Sequence, residues 1–389
     1  GTSTARCCRA CQACRIGVQM RRLRVISAMS GGVDSSVATA RMIDQGHEVV
    51  GIHLALSRTD SNGKGRGCCT LDDARDARRV ADKLGIAFYV WDFSTEFAES
   101  VMDNFHSEYE QGRTPNPCLR CNEKIKFSAV LDRALALGFD AVATGHYAQI
   151  EHGPGGVELH RAVDPLKDQS YVLGVLTQEQ LVHSLFPLGG ETKVEIREEA
   201  LERGLITAKK PDSHDICFIP DGDTAGYLVR KLGEQPGDIT DATTGEVLGQ
   251  HSGTFTVTIG QRRGLNLTVP AEDGAPRYVV DIDRESGTVM VGAPELLDVD
   301  FIRAINPIWA GGPLGADPVE VSAQVRAHAE PVPASARVVD GELLIDLYEP
   351  IRGLAPGQAA VIYVGTKVLG SATVASTNRV RQRASKTGV

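Results

Sequence analysis

Apolar positions alternate in character along the chain. Residues 23–29 form a short apolar run that predicts a buried strand. Residues 35–45 carry Val37, Met42 and Ile43 at helical spacing, and Gly46 ends that helix. The pattern repeats: strand 48–56, helix 72–84 closed by Gly85, strand 86–93, helix 95–111 closed by Gly112. A loop, a helix over 123–137 closed by Gly138 and a strand over 141–146 complete it. Strands separated by single helices predict an α/β fold with a parallel sheet and helices on both faces.

The texture then changes. Residues 149–163 read as a hairpin around Gly-Pro-Gly-Gly, followed by helices near 178–185 and 193–203. From about 223 turn residues become dense, with short strand-like segments at 254–259, 278–282 and 288–291. Beyond 294 the chain is almost wholly strand-like, as at 319–325, 343–347 and 359–364. This divides the chain into an α/β domain over 23–222, a small β-rich domain over 223–293 and a β-barrel over 294–380, with a polar tail at 381–389. The length of 389 residues agrees with two or three domains at about 150 residues each.

Composition adds little: 42% hydrophobic and 23% charged is an ordinary globular mixture. No apolar run approaches the roughly 20 residues that span a bilayer, so no membrane role is expected. The amino-terminal stretch has arginines but no apolar signal core, and the reading places the protein in the cytoplasm. The net charge of −9 speaks against a polyanionic partner. Clusters speak for one: 113–126 is net basic, and Lys209-Lys210, Arg262-Arg263 and 379–386 are basic. Solvated faces are the alternative.

Nine cysteines in a reducing compartment point to metal or catalytic roles rather than structural disulfides. Four of them fall within 7–14, ahead of any foldable pattern, and residues 1–22 read as a disordered or non-native extension. Cys118 and Cys121 lie in a Pro-rich loop, PNPCLRC, before the predicted helix. The helix dipole, Arg120 and Lys124 would favour a Cys121 thiolate. Cys217 lies in SHDICF. A buried, inert thiol is the alternative for any one of the three.

The most specific signal is Ser30-Gly31-Gly32-Val33-Asp34-Ser35, between the first strand and its helix. Glycines there let backbone approach a ligand, and the helix amino terminus offers N–H groups to phosphate. SGGxDS in this setting resembles the PP-loop of ATP pyrophosphatases, which cleave ATP between its α- and β-phosphates. The phosphate loop GxxxxGK[ST] is absent.

Seven segments together resemble the tRNA-specific 2-thiouridylase family: AMSGGVDSS at 28–36, GRTPNPCLRCNEKIKF at 112–127, ATGHYA at 143–148, KDQSYVL at 167–173, TAKKPDSHDICFI at 207–219, IGQRRGL at 259–265 and PGQAAVIY at 356–363. The resemblance implies ATP-dependent 2-thiolation of the tRNA wobble uridine by O2 adenylation and sulfur transfer from a cysteine persulfide. It implies a PP-loop domain, a β-rich central domain and a barrel.

It also implies site residues. ATP would be held by Ala28, Met29, Ser30, Gly31, Gly32, Val33, Asp34 and Ser35, with Leu54 and Gly145 at the adenosine, and Mg²⁺ would accompany it. Cys217 would carry the persulfide, and Cys121 would pair with it in a transient disulfide. Asn116, Pro117 and Cys118 would meet the target base. His146, Lys167, Asp168, Gln169, Arg326, Ala327 and Gln358 would contact tRNA. A cysteine desulfurase or sulfur-relay protein would supply sulfur.

Three positions depart from the family pattern. Cys118 stands where many members have an acid–base Asp, Ala327 replaces a Tyr, and Leu54 replaces a Met. Cys118, Cys121 and Cys217 could instead ligate a [4Fe-4S] cluster with one open iron. Rival readings are an amidating or NAD-forming ATP pyrophosphatase, an RNA-binding module with a relic ATP site, and a metal-binding regulator.

Overall fold

A computed structural model of the chain describes residues 21–56, 71–212, 216–219, 221–269 and 274–379. The cysteine-rich stretch 7–14, residues 213–215 and the tail 381–389 lie outside the described residues, as do the Arg379 side chain and the basic run after it.

Strands β1 (Arg24–Ala28), β2 (Glu48–Ala55), β3 (Phe88–Asp92), β4 (Ala141–Ala143) and the two-residue β7 (Ser184–Leu185) form one sheet in the order β3-β2-β1-β4-β7. Every pairing in it is parallel, as the alternating pattern requires. Helices cover both faces. Helices Val33–Asp44, Leu71–Leu84 and Lys193–Glu202 bury Val37, Ala38, Ala77, Val80, Ile196 and Ala200 on one side. On the other, Ile26, Ile52 and Leu54 pack against Phe97, Val101, Ile125 and Val130.

Two predicted helices differ in detail. The segment 94–110 is helical throughout, but 98–102 has π geometry. The helix predicted to begin at 123 begins at Pro117 and runs to Ala136, with π geometry over 122–129. Asn116 caps it, its Oδ1 accepting from the Cys118 and Leu119 N–H groups, and Pro117 fits the first turn because it has no N–H to satisfy. The Pro-rich run is therefore a helix start rather than a loop.

Strands β5 (Gln149–Gly153) and β6 (Gly156–His160) form the expected hairpin. The carboxyl-terminal strands are β12 (Asp298–Trp309), β13 (Val319–Gln324), β14 (Val332–Val339), β15 (Glu342–Arg352), β16 (Ala359–Val364) and β17 (Lys367–Arg379). They close into a six-stranded antiparallel barrel through β12–β17 pairing. The hairpin joins this sheet where His160 of β6 pairs with Lys367 of β17. Period-two alternation along β16 decides the packing. Ala360 and Ile362 point into the barrel core, while Val361 and Tyr363 pack outward with Leu119, Phe127, Leu159 and Tyr171.

Between them, β8 (Gly237–Asp241), β9 (Val247–His251), β10 (Tyr278–Asp283) and β11 (Thr288–Gly292) form a four-stranded sheet. Two expectations fail here. Residues 224–232 form a helix inside a stretch read as turns, capped by Asp223. Residues 254–256 form a short 3₁₀ turn rather than a strand, stitched by Thr256 Oγ1 to Gly253 O.

Candidate active site

The turn 30–35 follows β1 at the carboxyl end of the parallel sheet, where open α/β sheets bind their ligands. Gly31 has φ +81°, and a Cβ there would lie 2.3 Å from Asp73 O, so only glycine fits. Gly32 occupies the cap position of helix Val33–Asp44 without any side-chain cap. The hydroxyls hold the turn: Ser30 N–H donates to Ser35 Oγ (3.2 Å), and Ser36 Oγ donates to Gly32 O (2.7 Å). Gly145 presses against it, since a Cβ there would lie 2.7 Å from Ser35 N. Ala28, Met29 and Val33 serve differently. Met29 and Val33 are buried in the core, so only their backbone can face a nucleotide.

Around this turn lies an ionic network that sequence reasoning missed. Lys193 Nζ donates to both oxygens of Asp34 (2.7 Å each), and Tyr147 Oη donates to Asp34 Oδ1 (2.8 Å). Lys193 also pairs with Asp212, which Lys167 and Arg197 reach as well. Partial burial alone would raise the Asp212 carboxyl, but Lys167 and Lys193 outweigh it and hold the group well below the usual carboxylate range. Burial and the Asp34 charge push the Tyr147 phenol far up, so it stays a donor. Lys210 Nζ donates to Gly31 O (3.0 Å), Asp73 and Asp76, fastening the turn from the other side. Tyr147 and Lys210 lie in motifs already quoted, ATGHYA and TAKKPDSHDICFI. Lys193 lies in none and carried no signal.

The cysteines come next. Cys121 is buried in the cluster that contains Leu54, Phe97 and Ile125, and Cys217 and Phe218 pack against that same cluster. Two thiols 96 positions apart (217 − 121) thus share one packed group with a residue of β2. Cys118 is exposed in the first helical turn. The cations expected beside Cys121 are both committed: Arg120 and Lys124 pair with Glu123. Asn122 Nδ2 donates to Val172 O (2.9 Å) and ties this helix to the turn 170–173. Among the described residues no group of three His, Cys, Asp or Glu side chains is placed to hold a metal ion. A [4Fe-4S] cluster therefore finds no assembled ligand set among the described residues. Mg²⁺ asks less, because it binds through one or two carboxylates, phosphate and water, and Asp34 can supply the carboxylate.

The remaining expected residues divide. His146 is buried between Phe127 and Phe186, bonded through Nδ1 to Thr144 Oγ1 (2.7 Å). Burial, with nearby Lys126, holds it well below the ordinary histidine range and therefore neutral. Asp168 accepts from Arg161, Ala162 N and Ser170, and Gln169 Oε1 accepts from Tyr147 N, so both order their own turn. Arg326 is exposed, its guanidinium donating to the carbonyls of Arg352 and Gly353. Ala327 is half-buried against the outward cluster of the barrel. Gln358 Nε2 donates to Thr114 O (2.6 Å), and Thr114 N donates to Pro356 O (2.8 Å). These two bonds bring the barrel to the segment that carries Asn116, Pro117 and Cys118.

Comparison with known proteins gives three domain matches. Residues 23–221 match the tRNA methyl transferase HUP domain, 225–293 the tRNA methyl transferase PRC-barrel domain and 299–374 the aminomethyltransferase beta-barrel domain. The chain is 60% identical over 359 residues to the tRNA-specific 2-thiouridylase MnmA of Acidothermus cellulolyticus, covering 92% of this chain and 99% of that one. It is 58% identical over 360 residues to the enzyme of that name from Salinispora tropica, covering 91% and 99%. A solved 4-thiouridine synthetase–RNA complex with bound ATP is similar at 17% identity and a TM-score of 0.34, covering 51% of this chain and 45% of that one. With relatives this close spanning nearly their whole length, the chain belongs to the tRNA-specific 2-thiouridylase family.

Proposed function

We propose that this protein is a tRNA-uridine 2-sulfurtransferase that spends ATP to replace O2 of the wobble uridine with sulfur. ATP binds on the 28–35 turn, with Leu54 and Gly145 at the adenosine and Asp34 holding Mg²⁺. Uridine O2 attacks the α-phosphorus, pyrophosphate leaves, and the base becomes an O-adenylate. Cys217 carries a persulfide delivered by a desulfurase or relay protein. Cys121 attacks Cys217 Sγ, forming a Cys121–Cys217 disulfide and releasing hydrosulfide. The hydrosulfide adds at C2 and expels AMP. An external dithiol then supplies two electrons to restore both thiols.

The observation that carries this reading is the shared packing of Cys121 and Cys217 with Leu54 of β2, the strand beside the one that runs into the 30–35 turn. Methyl transfer, which the descriptions of the matched domains mention, has no use for that pair or for the SGGVDS turn. Amidation by ammonia would leave the cysteines idle.

The test is anaerobic incubation with ATP, Mg²⁺, a sulfur donor and unmodified tRNA, followed by mass spectrometry of the digested RNA. 2-Thiouridine is expected with wild type and not with Cys217→Ser, which should still release pyrophosphate on adenylating the base. Equal product from the variant would remove Cys217 as sulfur carrier. AMP without thiouridine in wild type, with a competent donor present, would point to another acceptor.

A further inference from the structure

A cleft of about 450 Å³ opens where the central domain meets the barrel. One wall is Thr258 to Gln261, and the other holds Arg326, Gly353 and Gln358. The barrel wall was expected at tRNA through the family resemblance, but the central-domain wall has no assigned role. The barrel wall reaches the segment of Asn116: Gln358 Nε2 donates to Thr114 O, two residues ahead of it. The turn is ordered by Gln261, whose Oε1 accepts from Thr258 N (3.0 Å) and whose Nε2 donates to Arg263 O (2.9 Å).

That order presents Arg262 and Arg263, both exposed. Neither guanidinium has a carboxylate partner among the described residues, although most of the other described arginines do. In a chain with 50 acidic and 41 basic residues, uncompensated cations are scarce. A polyanion finds them by local field rather than net charge.

We propose that the phosphodiester backbone of the tRNA runs along this cleft beside the target base, with the exposed Arg262 and Arg263, which follow the lining residue Gln261 and do not themselves line the cleft, as its phosphate contacts and Gln261 as the residue that orders them. The proposal rests on the tRNA reading above and extends its contact surface to the central domain. Phosphate contacts set register and affinity without reading sequence, which suits a site that must hold a stem while one base is worked on.

The experiment measures binding of an unmodified tRNA transcript by fluorescence anisotropy at several salt concentrations. Each phosphate contact contributes about one unit to the slope of log K against log salt. Arg262→Ala with Arg263→Ala is expected to weaken binding about tenfold at low salt and flatten the slope by about two. Lys at both positions should restore the slope. Equal slopes for wild type, the Ala pair and the Lys pair would overturn the proposal. Failure of wild type to bind tRNA at all would overturn the parent reading with it, so the two failures are distinguishable.

Discussion

Lys193 grips both oxygens of Asp34 and reaches Asp212, yet it lies 159 residues from Asp34 and belongs to no motif. It is 8% exposed. Lys193→Met would leave two carboxylates near the turn without their shared cation. The expected cost is about 2 kcal/mol, below that of a fully buried pair because both carboxylates keep contact with water. Denaturant unfolding measures it. Asp212 gives a pH test with a definite sign. Its folded-state pKa is depressed, so its contribution is complete at neutral pH and is lost only as pH falls through that depressed value. The stability gap between wild type and Asp212→Asn should persist at pH 5 and close only below the ordinary carboxylate range of about 4. Gly145→Ala tests the turn itself, since its Cβ would strike backbone at Ser35 and Asp34 rather than a movable side chain. ATP affinity should fall at least tenfold, read by equilibrium dialysis, while tRNA affinity holds. Legibility at this scale was uneven. SGGVDS and the cysteines stand in contiguous motifs. Lys193 acts through space alone, and a lone lysine in an acidic helix start looks like any solvated residue.

The helix from Pro117 to Ala136 shows how an element can be half legible. Apolar periodicity marked its body from 123. Its first turn was hidden because two prolines and an asparagine usually mean a loop, whereas Asn at the cap and Pro at the first position also start helices. The difference matters, since it puts Cys118 in the capped turn and Cys121 one turn deeper. Asn116→Ala should cost about 1 kcal/mol in thermal unfolding, and Asn116→Asp should retain most of it because a carboxylate caps equally well. The π geometry at 122–129 leaves hydrophobic spacing unchanged and cannot be read from it, whereas the helix at 224–232 carries Leu228 and Leu232 four apart behind an Asp223 cap and was hidden only by the turn residues around it.

The order of architectures along the chain, α/β then β-rich then barrel, followed from texture alone. How they dock did not, because docking depends on an apolar cluster drawn from distant segments and on single polar contacts around it. A buried chain of hydrogen bonds crosses the main junction. Ser170 Oγ donates to Asp168 and lies 3.4 Å from Tyr363 Oη, Tyr363 Oη donates to Gln324 Oε1, and Gln324 Nε2 donates to the carbonyls of Arg326 and Ala327. It links the turn at 167–169 with the barrel residues 326–327. Tyr363→Phe strands a buried acceptor on Gln324 and should cost about 1–2 kcal/mol. Calorimetry should show the parallel-sheet and barrel regions melting together, since hairpin β5–β6 and Tyr171, bonded to Ala359 O, belong to both. The bonds from Thr114 to Pro356 and Gln358 carry a consequence for biosynthesis. A ribosome delivers residues 114–121 long before 356–358, and domains fold as they emerge. The cysteine-bearing segment thus acquires its barrel anchors late in translation, after the parallel-sheet domain that carries it has emerged.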